Sequence, residues 1–125
     1  MNTNINVDIK WRLLTKKNGE PMAFHEILDH LKDCSLQNNF VYIFFYKNGV
    51  VVNVGQSKNG KKRLRDYVNS KPGSNEYRTK CLHHKDNKMF IAVVESLDGY
   101  DFNSLKDRLA VERLIQGHHM PIMNI

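Results

Sequence analysis

Arg63 and Tyr67 lie four residues apart in the segment QSKNGKKRLRDYV. At that spacing two residues share one face of a helix. The pair combines a permanently charged guanidinium with a hydroxyl that donates or accepts hydrogen bonds. The same segment carries Lys61, Lys62 and Arg65, so the plain reading of any one cation here is a solvated helix face. Tyr42 supplies another phenol inside an aromatic run, where packing alone would account for it. Glu112 is a different kind of signal. Leu105, Leu109 and Ile115 surround it at helical spacing. A carboxylate on an apolar stripe is costly unless it is paired or binds a metal, and a salt bridge to a lysine or arginine is the commoner solution. His83-His84 and His118-His119 are adjacent pairs; neighbours on a helix diverge by about 100°, so a pair rarely serves one metal. Cys81 and His83 lack a second ligand pair at zinc spacing.

These side chains need elements to hold them. Val41–Tyr46 is aromatic and β-branched and reads as a strand, and Val50–Val54 reads as a second. Asn48-Gly49 between them predicts a hairpin closed by a type I′ turn. A two-residue loop pairs Lys47 with Val50, which sets Phe44 opposite Asn53 and Tyr42 opposite Gly55. Side chains alternate along a strand, so Tyr42, Phe44 and Asn53 are expected on one face. Asn59 is a suitable N-cap for a helix over 60–69. A short helix is expected within 75–85, a third strand over Met89–Glu95 and a last helix over 103–117, with Pro121 barring its continuation. Upstream, Phe24, Ile27, Leu28 and Leu31 predict a helix over 23–35. The cluster at Trp11, Leu13 and Leu14 reads as a strand or a loosely packed arm.

The whole chain bounds what such a site could serve. Its 125 residues fit one domain with one core. No apolar run approaches the roughly 20 residues that span a bilayer, which argues against a membrane protein. The first residues lack the basic-then-apolar pattern of an export signal, and two cysteines, Cys34 and Cys81, make no disulfide framework. A cytoplasmic protein is the simplest expectation. The net charge of +6 suits a polyanionic partner, because neutralising phosphates releases counterions.

The stretch VYIFFYKNGVVVNVGQSKNGKKRLRDYV resembles the opening of GIY-YIG nuclease domains. The family's first triplet ends in a tyrosine, matched by Tyr42 in Phe40-Val41-Tyr42. Its second triplet is matched by Asn53-Val54-Gly55, with asparagine where the family has tyrosine. The family arginine is matched by Arg63, the following aromatic by Tyr67, the glutamate of a later helix by Glu112, and the closing asparagine by Asn124 in PIMN. The resemblance covers residues 40–125. It implies an α+β fold, a small three-stranded antiparallel sheet flanked by helices, with residues 1–39 as an N-terminal helical extension of the same domain.

It also implies a chemistry: metal-dependent endonuclease cleavage of DNA, with double-stranded DNA as partner. Glu112 would hold one divalent ion, Mg²⁺ or Mn²⁺; a single carboxylate suits Mg²⁺, which keeps several waters. Tyr42 would act as general base, helped by a nearby cation that favours its phenolate. Arg63 would grip the scissile phosphate with its planar fork. Tyr67 would orient water or a phosphate oxygen, and Asn124 would anchor the Glu112 helix or position the site by hydrogen bonds. At Asn53 three readings stand: the site works with the asparagine and a water, another residue substitutes for the tyrosine, or catalysis is lost and binding kept. Gln56, Lys58, Lys61, Lys62, Arg65 and His118 are the residues expected to meet the nucleic acid. Gln56 occupies a position where relatives often carry lysine, and Lys58 is the cation nearest in sequence to compensate. Cutting both strands with one site per chain leaves a homodimer open. The alternatives are a catalytically impaired module that binds nucleic acid or protein without cutting, and a basic protein of unrelated fold.

Overall fold

The computed structural model describes residues 9–83 and 88–124, without the side chain of Asn124. Its sheet has four strands in the order β1-β4-β2-β3: β1 is Arg12–Leu13, β2 Phe40–Tyr46, β3 Val51–Ser57 and β4 Met89–Val94. Every neighbouring pair is antiparallel. The three expected strands are β2, β3 and β4. The fourth, β1, comes from the Trp11–Leu14 cluster and lies against β4, where Arg12 Nε pairs with Glu95 Oε1 at 2.6 Å. The N-terminal segment is therefore part of the sheet as well as helical. Among the described residues, no helix is long and apolar enough to cross a membrane.

The β2–β3 hairpin keeps the expected pairing at its far end and reaches it by another route. Phe44 faces Asn53 and Tyr42 faces Gly55. The loop, however, has three residues: Tyr46 N donates to Val50 O at 2.9 Å, and Gly49 N to Tyr46 O at 2.8 Å. Gly49 alone takes positive φ, at 91°, while Asn48 does not. This is a turn closed by a left-handed glycine rather than a type I′ turn. The asparagine side chain turns back on the loop instead, its Oδ1 accepting from Val50 N at 3.0 Å. The register then shifts between Phe44 and Phe45. That bulge restores the Tyr42–Gly55 pairing which a two-residue loop would have given directly.

Among the described residues four helices accompany the sheet: α1 (Ile27–His30), α2 (Gly60–Val68), α3 (Asn75–Cys81) and α4 (Leu105–His119). The helix expected over 23–35 is broken. Phe24–Glu26 and Leu31–Asp33 are 3-10 turns flanking the single turn of α1. Phe24, Ile27 and Leu31 are buried while Leu28 is 53% exposed, so the buried face follows three anchors and not a continuous helical stripe. The helix expected within 75–85 ends at Cys81; residues 84 and 85 lie outside the described residues. Ser104 caps α4, its hydroxyl accepting from Asp107 N.

Each face of the sheet carries a core. On one, Phe40, Tyr42, Phe44, Met89, Ile91 and Val93 pack against Leu14, Phe24, Ile27, Leu31, Leu64 and Tyr67. On the other, Val41, Ile43, Val54, Ala92 and Val94 meet Phe102, Val111 and Ile115 of the α4 side. Helix α2 thus covers one face and α4 the other, and β3 is an edge strand between them. After α4 the chain turns at Met120, in the left-handed region at φ 49°. The closing 3-10 turn Ile122–Asn124 lies along β3, with Ile122 and Met123 packed on the first core. The C-terminal segment therefore rounds the edge at β3.

Candidate active site at the edge of the sheet

Strand alternation turns Tyr42 into the first core, and the hairpin register lays its ring over Gly55. A Cβ at position 55 would stand 2.1 Å from Tyr42 Oη, so glycine is required there for close approach. Asn59 caps α2 by accepting from Lys62 N at 3.3 Å, and Leu64 and Tyr67 are the buried side chains of its inner face. That orientation brings Tyr67 Oη to 2.6 Å from Tyr42 Oη. Arg63, one turn earlier, donates from Nε to Tyr42 Oη at 3.1 Å and from Nη1 to Glu76 Oε1 at 3.0 Å. Its guanidinium carbon lies 4.8 Å from the Tyr67 ring centroid. Asn53 Nδ2 donates to Tyr67 Oη at 2.9 Å and to Thr79 Oγ1 at 3.3 Å. Thr79 in turn donates to Asn75 O. Tyr42, Asn53, Arg63 and Tyr67 thus form one connected network.

Burial governs the electrostatics of this network. It pushes the Tyr42 phenol well above the ordinary tyrosine range, and the nearby Tyr67 oxygen adds to the rise; Arg63 opposes both without prevailing. The expectation that a cation would favour the Tyr42 phenolate is met in position and outweighed in size. Tyr67 is likewise raised by burial, against the hydrogen bonds from Tyr42 and Asn53. Desolvation works against the Arg63 charge, but the phenolic oxygens and Glu76 outweigh it and raise its pKa. The guanidinium therefore stays charged at any pH the protein meets. Its Nη2 has no protein acceptor among the described residues, and 30% of the side chain is open to solvent.

Glu112 approaches from the other face. The residues of α4 that enter the core are Arg108, Val111 and Ile115. Leu105, expected to flank Glu112 on an apolar stripe, is 54% exposed, because the buried face of α4 runs through Arg108, Val111 and Ile115 instead. Glu112 is half-buried beside β3. Its Oε1 accepts from Gln116 Nε2 at 3.2 Å, and the same amide nitrogen reaches Val54 O of β3 at 3.3 Å. Among the described residues it has no salt bridge, so the commoner solution to its burial is not used. Burial raises its carboxyl pKa, with smaller opposing effects from Gln116, Arg113 and Arg63. A half-buried carboxylate with a raised pKa, a single amide partner and Oε2 left over fits one hard cation that keeps its own waters.

The remaining expected residues are spread around this edge. Lys61 and Lys62 are partly engaged: Lys61 Nζ donates to Lys32 O at 3.4 Å and Lys62 pairs with Asp66 at 2.9 Å. Arg65 and Lys58 are exposed. Gln56 lies on the α4 face, where its Oε1 accepts from Arg108 Nε at 2.9 Å. His118 is exposed and packs on His119, which meets Trp11; no contact joins it to the phenols. The turn Ile122–Asn124 runs along β3, but the Asn124 side chain lies outside the described residues. Among those residues no three His, Cys, Asp or Glu side chains gather. His83 accepts from Met89 N at 3.3 Å through Nδ1, and His84 lies outside the described residues.

Three partners were missed from sequence. Gln116 stands four residues after Glu112 and Glu76 follows the N-cap Ser74, so both carried a local signal. Thr79 carried none, since only the fold brings it to Asn53.

No curated protein and no solved structure gives a significant match to the chain. The model of the GIY-YIG catalytic domain matches residues 38–124, which span every member of the network and Glu112. The chain therefore belongs to the GIY-YIG catalytic domain family, whose activity is of the nuclease type.

Proposed function

We propose that this chain is a metal-dependent endonuclease that hydrolyses DNA phosphodiester bonds. The observation that carries the reading is the hydrogen bond from Arg63 Nε to Tyr42 Oη, made at the one edge of the sheet that Glu112 also borders. Arg63 binds a non-bridging phosphate oxygen through Nη2, the terminal nitrogen with no acceptor among the described residues, and the hydrogen bonds to Tyr42 and Glu76 fix the plane of the fork. Tyr42 gives up its own phenol proton to solvent and, as phenolate, removes the proton of the attacking water. When its phenolate forms, Arg63 Nε–H and Tyr67 O–H both point at it, and Asn53 fills an acceptor site on Tyr67, leaving the Tyr67 hydrogen directed at Tyr42. Asn53 so performs the orienting part of the role that a tyrosine has in relatives.

Glu112 would hold the divalent ion, Mg²⁺ or Mn²⁺, which when bound supplies Lewis-acid stabilisation of the phosphate and the leaving oxygen. The half-burial of Glu112 keeps its carboxylate poorly solvated and so receptive to a cation. Water oxygen bonds to phosphorus, the bridging P–O bond breaks, and the leaving oxygen takes a proton from solvent. The full burial of Tyr42 and its raised phenol favour a second reading, a module that binds DNA without cutting it.

Supercoiled plasmid incubated with Mg²⁺, Mn²⁺ or EDTA, beside the Glu112→Ala variant, separates the two. The nuclease reading expects nicked or linear product with metal and none with EDTA or with Glu112→Ala. Salt-sensitive plasmid binding without product under any condition supports the module instead.

A further inference from the structure

A second cation is built into the same edge, on the α4 face. Arg108 is 4% exposed, and a buried guanidinium is ordinarily paired with a carboxylate. Here its acceptors are all neutral: Gln56 Oε1 at 2.9 Å from Nε, and Asn39 Oδ1 at 3.1 Å and Phe102 O at 2.7 Å from Nη1. Among the described residues it has no salt bridge, and Nη2 has no acceptor. No buried side-chain nitrogen among those residues lacks a partner, so Nη2 keeps access to solvent. The surface it reaches is a hollow of about 500 Å³, polar apart from Leu105, lined otherwise by Asn39, Gln56, Ser57, Lys58, Asn103 and Arg108.

Asn39 holds the left-handed conformation, with φ 60°, and ties itself to the α4 segment twice: Oδ1 accepts from Arg108 while Nδ2 donates to Asn103 Oδ1 at 3.0 Å. Lys58 adds a second, exposed cation at the rim. A desolvated arginine with a free terminal N–H pair beside a lysine and amide donors is the chemistry that holds an oxyanion. Its place narrows the ligand. Arg108 lies one turn before Glu112 on α4, and Gln56 directly follows Gly55, over which Tyr42 lies.

We infer that this hollow binds a backbone phosphate of the DNA strand next to the one being cut, with Arg108 and Lys58 as its cations. The inference rests on DNA as the partner, as proposed above, but not on cleavage. A phosphate held here fixes the strand against β3 and sets which phosphodiester reaches Arg63. The hydrogen bonds of Arg108 to Gln56 and Asn39 also explain why a glutamine stands at position 56: it orients the buried cation in place of supplying one.

The test uses the whole chain labelled with ¹⁵N, so that the Arg108 Nε–H and the amides of Asn39, Ser57, Lys58 and Asn103 are observed. Titration with inorganic phosphate at constant ionic strength is expected to shift these signals saturably, and chloride is not. Lys58→Ala and Asn103→Ala, both at exposed positions, are expected to weaken that response several-fold, whether or not Arg108→Gln folds. In a Glu112→Ala background, which removes cutting from the measurement, Lys58→Ala is expected to lower the salt slope of duplex binding by about one. Absence of a saturable shift at these signals overturns the inference. A phosphate response without any effect of Lys58→Ala on duplex binding makes the hollow a free-phosphate site and overturns the DNA assignment. Plasmid cleavage that needs Glu112 while the hollow stays silent defeats this inference alone. A responding hollow that contributes to duplex binding in a chain that never cuts defeats the nuclease reading alone.

Discussion

Arg63 is a junction: one nitrogen on Tyr42, another on Glu76, and a third with no acceptor among the described residues. Arg63→Lys keeps the charge but loses the fork, and is expected to lower plasmid cleavage by about 10²-fold while far-UV circular dichroism stays unchanged. Tyr42 gives a pH signature. Burial holds its phenol well above the ordinary range, so only a small phenolate fraction exists near neutrality. Cleavage should then rise about tenfold per unit between about pH 7 and 9, and single-turnover rates for Tyr42→Phe should lose that slope. Glu112 gives a stability signature of opposite form. Its carboxyl is raised in the fold, so the folded chain holds that proton more tightly than the unfolded chain. The stability it contributes is present in acid and is lost as pH rises from the ordinary carboxylate range through the raised folded value. Glu112→Gln should therefore melt higher than wild type at neutral pH, with the gap closing in acid. Added Mn²⁺ should raise the melting temperature of wild type only.

The hairpin shows what was legible at the scale of elements and what was not. The pairing of Tyr42 with Gly55 followed from strand alternation and the Asn48-Gly49 turn. The turn type did not, because a three-residue loop with a compensating bulge reaches the same register. Helix α2 and its Asn59 cap were legible because the cap and the apolar positions Leu64 and Tyr67 are local signals. The segment 23–35 was not, because three anchors spaced for a helix also suit two 3-10 turns when tertiary packing decides. The rotation of α4, which exposes Leu105 and buries Arg108, was invisible for the same reason: a buried arginine among neutral acceptors has no sequence pattern. Gly55 is the element-scale prediction. Gly55→Ala sets a methyl group into the Tyr42 hydroxyl; chemical denaturation should show a loss of about 1–3 kcal/mol, and Tyr42 should be displaced from Arg63.

At the scale of the molecule, the edge strand β3 is the organising feature. Strand β2 and helix α2 bring the phenols and Arg63 to one side, α4 brings Glu112 and Arg108 to the other, and the closing turn passes between the faces along the same strand. The net charge of +6 gives that edge a polyanion to attract, so duplex binding should weaken steeply with salt. The central claim is that Arg63 and Glu112, on opposite faces, serve one reaction centre. Its most direct test is plasmid nicking with Mn²⁺ by Arg63→Ala, Glu112→Ala and the double variant. Residues that act as a unit do not add: each single variant should lose about 10³-fold, and the double should be little worse than the weaker single. Losses that multiply in the double variant, or a single variant that nicks at the wild-type rate, would contradict the account.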